Sequence, residues 1–438
     1  MENLFHKIYK RQDKKMKIKN ITDTSTLRQE SIKSALPITD LLLKKIKNIS
    51  KDKKINYTLF AVCPNSFNVL KAALRAAKRA NSPVLFAATL NQVDIDRGYT
   101  GWTPHDLIRI INAESQRIGL TGAVIAAIDH GGPWVKDIQT IEKWPLKKAM
   151  DWTKKSFEAA ILAGYDLIHV DPTVDLFNDA ISIETVAERT IELIHHCEIF
   201  RKKNKKPPIS YEVCTEEVKG GLSDLTIFMK FMKLLKDGLL KKGIDYVWPT
   251  FVVGKVGTDL HTTEFDPVVA RELVEITASN NTFLKGHYTD FVINPYQYPE
   301  SGVAAANVGP EFTAIEYEGF EELSGLEEKL YSSDMIDKSS GFKNILGKAV
   351  IDSNRWKKWL KPGEQDLDSI KQDRKEMIIK TSARYVWSMP EVRAAQIQLY
   401  NNLEKNGYDP ENWIILKIEK AMDRYFRAFN LIDINNIL

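Results

Sequence analysis

From about residue 56 the chain alternates between two hydrophobic periods. Short apolar runs bounded by polar, Gly or Pro residues recur as YTLFAV (57–62), PVLFAAT (83–89), GAVIAAI (122–128), YDLIHVD (165–171), PISYEVC (208–214), DYVWPTFVV (245–253), TFLKG (282–286) and AAANVG (304–309). Such runs suit strands buried on both faces, as parallel strands are. Between them lie longer segments with helical spacing, such as SFNVLKAALRAAKRA (66–80), IETVAERTIELIHHCEIF (183–200) and LTIFMKFMKLLKDGLLKK (225–242). Strict alternation of the two predicts βαβ units. Eight such strands over roughly 250 residues match a TIM (β/α)8 barrel. An open doubly wound sheet is the alternative, but no G-x-G-x-x-G follows the first strand to hold a dinucleotide.

Around residue 332 the pattern changes to the turn-rich SSDMIDKSSGF, and the rest is helical in spacing with aromatics on the apolar stripe. The predicted organisation is an N-terminal extension (1–55), helical or partly disordered, a barrel carrying the active site (56–335), and a helical C-terminal region (336–438). That last region is expected to cover part of the barrel or to make a subunit contact.

Composition narrows the function classes. The 438 residues are 43% apolar, as in a packed globular protein, and 62 basic residues against 58 acidic leave a formal charge of only +4. A field built for nucleic acid is therefore not expected. The cysteines Cys63, Cys197 and Cys214 have no paired spacing, which fits a reducing compartment. The lysine-rich start lacks the apolar core of a signal peptide, and no run reaches the roughly 18 apolar residues of a membrane span. The expectation is a soluble cytoplasmic protein without membrane or nucleic-acid partners.

In a parallel barrel, reactive groups sit at the C-terminal ends of strands, where the βα loops converge. Strand 3 ends in Asp129-His130, and strand 4 carries His169 and Asp171. Strand 5 ends in Glu212 and then Thr215-Glu216, strand 6 leads to Asp259 and His261, and strand 7 ends in His287, Thr289 and Asp290. Four of the eight histidines thus fall at or just beyond strand ends, accompanied by carboxylates. Imidazole with carboxylate suits a borderline divalent metal such as Zn²⁺, Mn²⁺ or Co²⁺. His130 and His287, each directly after a buried strand, read as ligands. His169, inside an apolar strand, reads as a core histidine satisfied by one hydrogen bond, and His261 is balanced between ligand and solvated loop residue. Gly131-Gly132-Pro133 is expected to turn the chain sharply away from Asp129 and His130. Trp102 and Trp134 sit in mouth loops, where either could floor a sugar ring.

The segments FAVCPNSFNVLKAAL, ATLNQVDIDRGYTGWTPHD, IDHGGP, AGYDLIHVDPT, ETVAER, EVCTEEVKGG, GHYTDF and NVGPEFT resemble, in that order, those of the tagatose-bisphosphate aldolase non-catalytic-subunit family. That family is related to the class II, metal-dependent aldolases. The resemblance runs from about residue 56 to 330, with an echo in ARYVW (383–387). It implies a TIM barrel whose mouth binds a divalent metal and a ketose or its phosphate. By similarity to class II aldolases, Asp129 is the acid/base group, and His130 and His287 are ligands. TEEVKGG places Glu216 facing the site as ligand and second proton carrier. His261 is carried over as a fourth ligand, with Asp259 as its rival because the strand 6 register does not match. The resemblance also implies assembly, as a homo-oligomer or with an aldolase subunit.

Class II aldolases bind phosphate on a Gly- and Ser-rich turn after the strand 7 histidine, whereas this chain has HYTDFVINPY, bulky and acidic. NVGPEFT could still supply helix N-terminal donors to an anion. A metal chelating a ketose would stabilise an enediolate. With Asp129 and Glu216 sharing proton transfers, the expected reaction is epimerisation of a ketohexose or its phosphate, at C4 by retro-aldol chemistry or at C3 through the enediolate. The alternatives are a structural subunit and a net aldolase. Asn91 and Gln92, after strand 2, are expected to hydrogen-bond sugar hydroxyls. Asp171, Asp259, Thr289, Asp290, Asn307 and Gly309 complete the expected substrate-binding set.

Overall fold

A computed structural model of the protein describes residues 25–178, 181–214, 225–258, 262–361 and 363–438. Its strands are β1 Leu59–Val62, β2 Val84–Thr89, β3 Val124–Gly131, β4 Leu167–Val170, β5 Ser210–Cys214, β6 Phe251–Val253, β7 Phe283–Gly286 and β8 Ala305–Val308. Among the described residues each pairs in parallel with the next, and β8 closes on β1. The fold is a TIM barrel. Its strands are apolar on both faces because the helices outside and the packed interior each bury one.

Two strands differ from their sequence pattern for local reasons. The sixth run was expected to span 245–253, yet only Phe251–Val253 joins the ladder. Pro249 has no N–H to donate, so pairing begins after it. β3 extends past its apolar run: the expected sharp turn is replaced by a register shift between Ile128 and Gly131, with Gly131 still pairing Val170. Such a bulge bends the strand and re-aims its side chains. His130 sits in it at φ +48°, a left-handed conformation that non-glycine residues rarely adopt. The glycines that follow serve close approach: a Cβ on Gly131 would lie 2.4 Å from the Phe157 ring, and one on Gly132 would lie 1.8 Å from the Asp171 carbonyl oxygen.

The described part of the N-terminal extension is helical over Thr26–Ser34 and Ile38–Lys53. It closes the bottom of the barrel: Arg28 pairs with Asp166 before β4, and Asp40 accepts from Ser210 and Thr250 at the starts of β5 and β6. The C-terminal region shares one hydrophobic core with the barrel. Its last long helix, Pro410–Ala428, lies along Phe67–Ala80, with Lys71–Glu411 at 2.8 Å and Arg79–Asp423 at 2.7 Å. Phe60 of β1 meets Phe312, Tyr425, Phe426 and Phe429. Another part of this region, between Arg355 and Tyr385, reaches over the barrel mouth. No described helix is long and apolar enough to cross a membrane.

Candidate metal and substrate site

At the C-terminal end of the barrel Asp129, His130, His169 and His287 bring one ligand atom each to within 4.8 Å of all the others. Each comes from a different position of the ladder. β3 with its bulge presents Asp129 and His130, β4 presents His169 in register with Glu212 of β5, and β7 ends just before His287. Asp129 Oδ1 lies 3.6 Å from His169 Nδ1, 3.8 Å from His287 Nε2 and 4.0 Å from His130 Nε2. Burial alone would raise its pKa, but the surrounding imidazoles and Lys285 outweigh this and hold the carboxyl well below the usual range. Asn307 Nδ2 donates to Asp129 Oδ1 at 3.0 Å and fixes its orientation.

The hydrogen bonds around the imidazoles constrain their protons. Asp171 Oδ2 is 2.6 Å from His130 Nδ1, and Glu212 Oε1 is 2.8 Å from His287 Nε2. Ionised carboxylates only accept, so each of those nitrogens carries the hydrogen. The remaining nitrogens, His130 Nε2 and His287 Nδ1, face each other at 3.0 Å. In two neutral rings both would present lone pairs. A proton on one of them, or a cation shared between them, is required.

The metal-free electrostatics give the proton solution. Burial disfavours charge on His130, but Asp129 and Asp171 push its pKa up to about 9, while burial drives that of His287 down to about 4. The same lone pairs are a donor set for a borderline divalent ion. Each imidazole is oriented by a carboxylate on its far nitrogen, the usual support of a metal-binding histidine. His169 adds a fourth point. Its Nδ1 accepts from the His130 backbone N–H at 3.1 Å, and its Nε2 is buried with no partner among the described residues. His169 is thus a fully buried histidine with one hydrogen bond, as its apolar strand suggested, and its Nδ1 also lies within the cluster, 3.6 Å from Asp129 Oδ1. The residues present fit a metal ion.

A family model for D-tagatose-1,6-bisphosphate aldolase subunit GatZ/KbaZ-like proteins matches residues 43–415. The chain belongs to this family. Among solved structures, the GatZ/KbaZ-like chain is similar to a crystal structure described as a probable tagatose 6 phosphate kinase from Sinorhizobium meliloti 1021, with TM-score 0.70 and 20% identity over 85% of this chain and 100% of that one. A weaker likeness, with TM-score 0.49 and 14% identity over 90% of this chain and 95% of the other, is to a fructose-bisphosphate aldolase (Fba) from Campylobacter jejuni. The first likeness bears on the fold.

The cluster of this GatZ/KbaZ-like chain opens into a cavity of about 480 Å³. Asn91, Gln92, Asp171, Asp290, Asn307 and Gly309 all line it, as does Trp134, whereas Thr289 and Trp102 are not among the lining residues. Several of these polar groups are already engaged. Asn91 Nδ2 donates to Val135 O and Asp137 Oδ1, and its Oδ1 accepts from the Asp137 N–H. Gln92 bonds the Thr89 N–H and the Asn65 side chain. Gly309 and Glu311 donate their N–H groups to Asp290 Oδ1, both at 2.8 Å. The helix N-terminal donors expected for an anion are thus taken by the chain's own carboxylate. Thr289 is fully buried. Glu216, Asp259 and His261 lie outside the described residues.

Sequence reasoning named Glu212 at the end of strand 5 without giving it a role, and passed over Lys285. Glu212 and Lys285 are both fully buried inside strands, 2.6 Å apart, and Lys285 with the imidazoles offsets the burial of Glu212 to hold its carboxyl at about 2. A charged residue inside an apolar parallel strand needs a buried partner, and two such residues, on β5 and β7, were there to be paired.

Proposed function

We propose that this chain is a metal-dependent epimerase of a ketohexose or ketohexose phosphate of the fructose/tagatose type, inverting C4 by successive retro-aldol and aldol steps. The observation that carries the reading is the pair of facing imidazole nitrogens, His130 Nε2 and His287 Nδ1, beside an ionised Asp129 at a barrel mouth. A divalent ion held by His130, His169 and His287 would supply Lewis-acid stabilisation of negative charge on the C2 oxygen.

The rest falls to the chain's own groups. Asp129, anchored by Asn307, takes the proton of the C4 hydroxyl. The C3–C4 bond breaks, its electron pair moves into a C2–C3 enediolate, and C4 becomes an aldehyde. The aldehyde turns over and the enediolate re-adds to its other face, after which Asp129 returns the proton to the C4 oxygen. No atom is gained or lost. Glu216 is the second proton carrier of this reading. Trp134 from the barrel loops and Trp359 and Tyr385 from the C-terminal region line the same cavity, and the reading requires that the aldehyde stay there between the two steps.

Membership of an aldolase-subunit family favours two further readings, net aldol cleavage and a structural role beside a catalytic subunit. It also supports assembly, with copies of itself or with an aldolase subunit. Carbon NMR of the purified chain, supplied with Mn²⁺ or Zn²⁺ and with fructose, tagatose or their 6-phosphates labelled at C4, separates the readings. The C4 epimer supports the proposal and triose products support cleavage. Silence with every sugar and metal leaves the structural role.

A further inference from the structure

The C-terminal region contributes Lys358, Trp359, Arg384 and Tyr385 to the lining of the cavity into which the metal cluster opens. Arg384 is only 7% exposed. Its Nη1 donates to the Thr381 carbonyl and its Nη2 to Tyr385 Oη at 2.7 Å. The guanidinium lies 4.8 Å from the Trp359 ring centre and 4.4 Å from that of Tyr385. Among the described residues it has no ion-pair partner. A guanidinium is always charged, and burying one without a counter-ion is costly.

Its surroundings add positive charge. Lys358 Nζ sits 4.7 Å over the Tyr385 ring, and its carboxylate neighbour, Asp137 at 3.4 Å, bonds Arg355 more closely, at 2.5 Å. Arg355 and Lys358 therefore share one carboxylate, while Arg384 has no ion pair among the described residues and feels the field of Asp290 in the same cavity. The alternative anion site, the N-terminus of the helix Pro310–Ser332, is filled by Asp290. An anionic substrate entering the mouth has one positively charged wall to meet.

We propose that Arg384 and Lys358 bind the terminal oxyanion of a sugar substrate, a phosphate ester or a carboxylate, so that the C-terminal region completes the binding site. An Arg fork with a nearby ammonium is the pairing that recognises such groups. The inference rests on the reading of the mouth as a ketose site, and it names the class of ketose: one with a charged end.

Calorimetric titration of the full-length chain tests it without turnover. Fructose 6-phosphate, fructuronate and neutral fructose are titrated into the wild type, Arg384→Gln and Lys358→Gln. In the wild type the charged sugars bind more tightly than fructose, and the tighter of the two identifies the oxyanion. In each variant the affinity for the charged sugar falls about 10- to 100-fold, while that for fructose stays within about twofold. Should the buried Arg384 variant fail to fold, Lys358, whose side chain is 40% exposed, carries the test. An unchanged ratio of charged to neutral affinity in either folded variant overturns the proposal, as does a wild type that binds all three alike. Arg384-dependent binding without epimer or triose products would refute the epimerase and leave the oxyanion site standing. Turnover of fructose with no preference for charge would do the reverse.

Discussion

Replacing Lys285 by Met removes the cation of a fully buried ion pair and leaves the volume nearly unchanged. Lys285 Nζ is 2.6 Å from Glu212 Oε2 with both side chains at 0% exposure, and Glu212 Oε1 also holds His287 Nε2 at 2.8 Å. Removing one partner of a buried pair typically costs about 3–5 kcal/mol, because the remaining charge keeps its burial and loses its compensation. The double variant Lys285→Met/Glu212→Gln keeps an acceptor for His287 without a charge, so it is expected to recover about 2 kcal/mol or more of that loss. Urea unfolding at pH 7.5 in the presence of chelator, followed by the fluorescence of the nine tryptophans, reads both values at one protein concentration. A single variant that loses less than about 1 kcal/mol, or a double variant no more stable than the single, would refute the reasoning. It would mean that the pair is solvated in solution.

Three further outcomes follow from other contacts. Glu316 is buried with Asn68 donating to Oε1 at 2.8 Å and no partner on Oε2 among the described residues, and burial pushes its pKa up to about 7. A raised folded pKa gives stability that is full below the unfolded value near 4.5 and lost as pH rises through 7, so the wild type weakens by about 3 kcal/mol between pH 4.5 and 8 from this group alone. Glu316→Gln should flatten that slope in urea titrations at both ends, and an unaltered slope would contradict the assignment. Gly132→Ala forces a methyl into a space 1.8 Å from the Asp171 carbonyl oxygen. Overpacking there should cost about 1–3 kcal/mol and shift the Asp171 carboxylate off His130, visible as altered imidazole proton resonances. Asn307→Ala frees the Asp129 carboxylate while touching none of the imidazoles, so kcat for epimer formation should fall about 10- to 100-fold with metal content unchanged. Loss of metal in that variant would assign Asn307 a different role.

The barrel was legible because parallel strands buried on both faces leave continuous apolar runs, and all eight runs carry a described strand. Asp129, His130 and His287 were legible because a polar residue directly after such a run lands at the mouth. His169 is the buried, singly hydrogen-bonded histidine its apolar run suggested, but its place in the cluster was not legible, because a histidine inside such a run points inward or outward according to register. The pairing of β4 with β3 brings its Nδ1 to Asp129 and to the His130 N–H, and the pairing with β5 sets it beside Glu212. Glu212 and Lys285 had the same ambiguity, although their opposite charges in two buried strands offered a pairing signal. The β3 bulge was hidden because DHGG reads equally as a turn, and the crowding that demands the glycines comes from Phe157 and Asp171 in other elements. Arg384 and Lys358 lie more than 200 residues from Asp129 in sequence. Helical periodicity predicts that such segments bury one face, and it carries no information on which end of the barrel they cover.

The account rests above all on the imidazoles of His130 and His287 sharing a metal ion. Metal content by inductively coupled plasma mass spectrometry, on wild type and the His130→Ala/His287→Ala variant after loading with Mn²⁺ or Zn²⁺ and desalting, tests this directly. About one ion per chain in the wild type, falling to background in the variant with its circular dichroism unchanged, is the predicted result. Full retention of metal by the folded variant would contradict it.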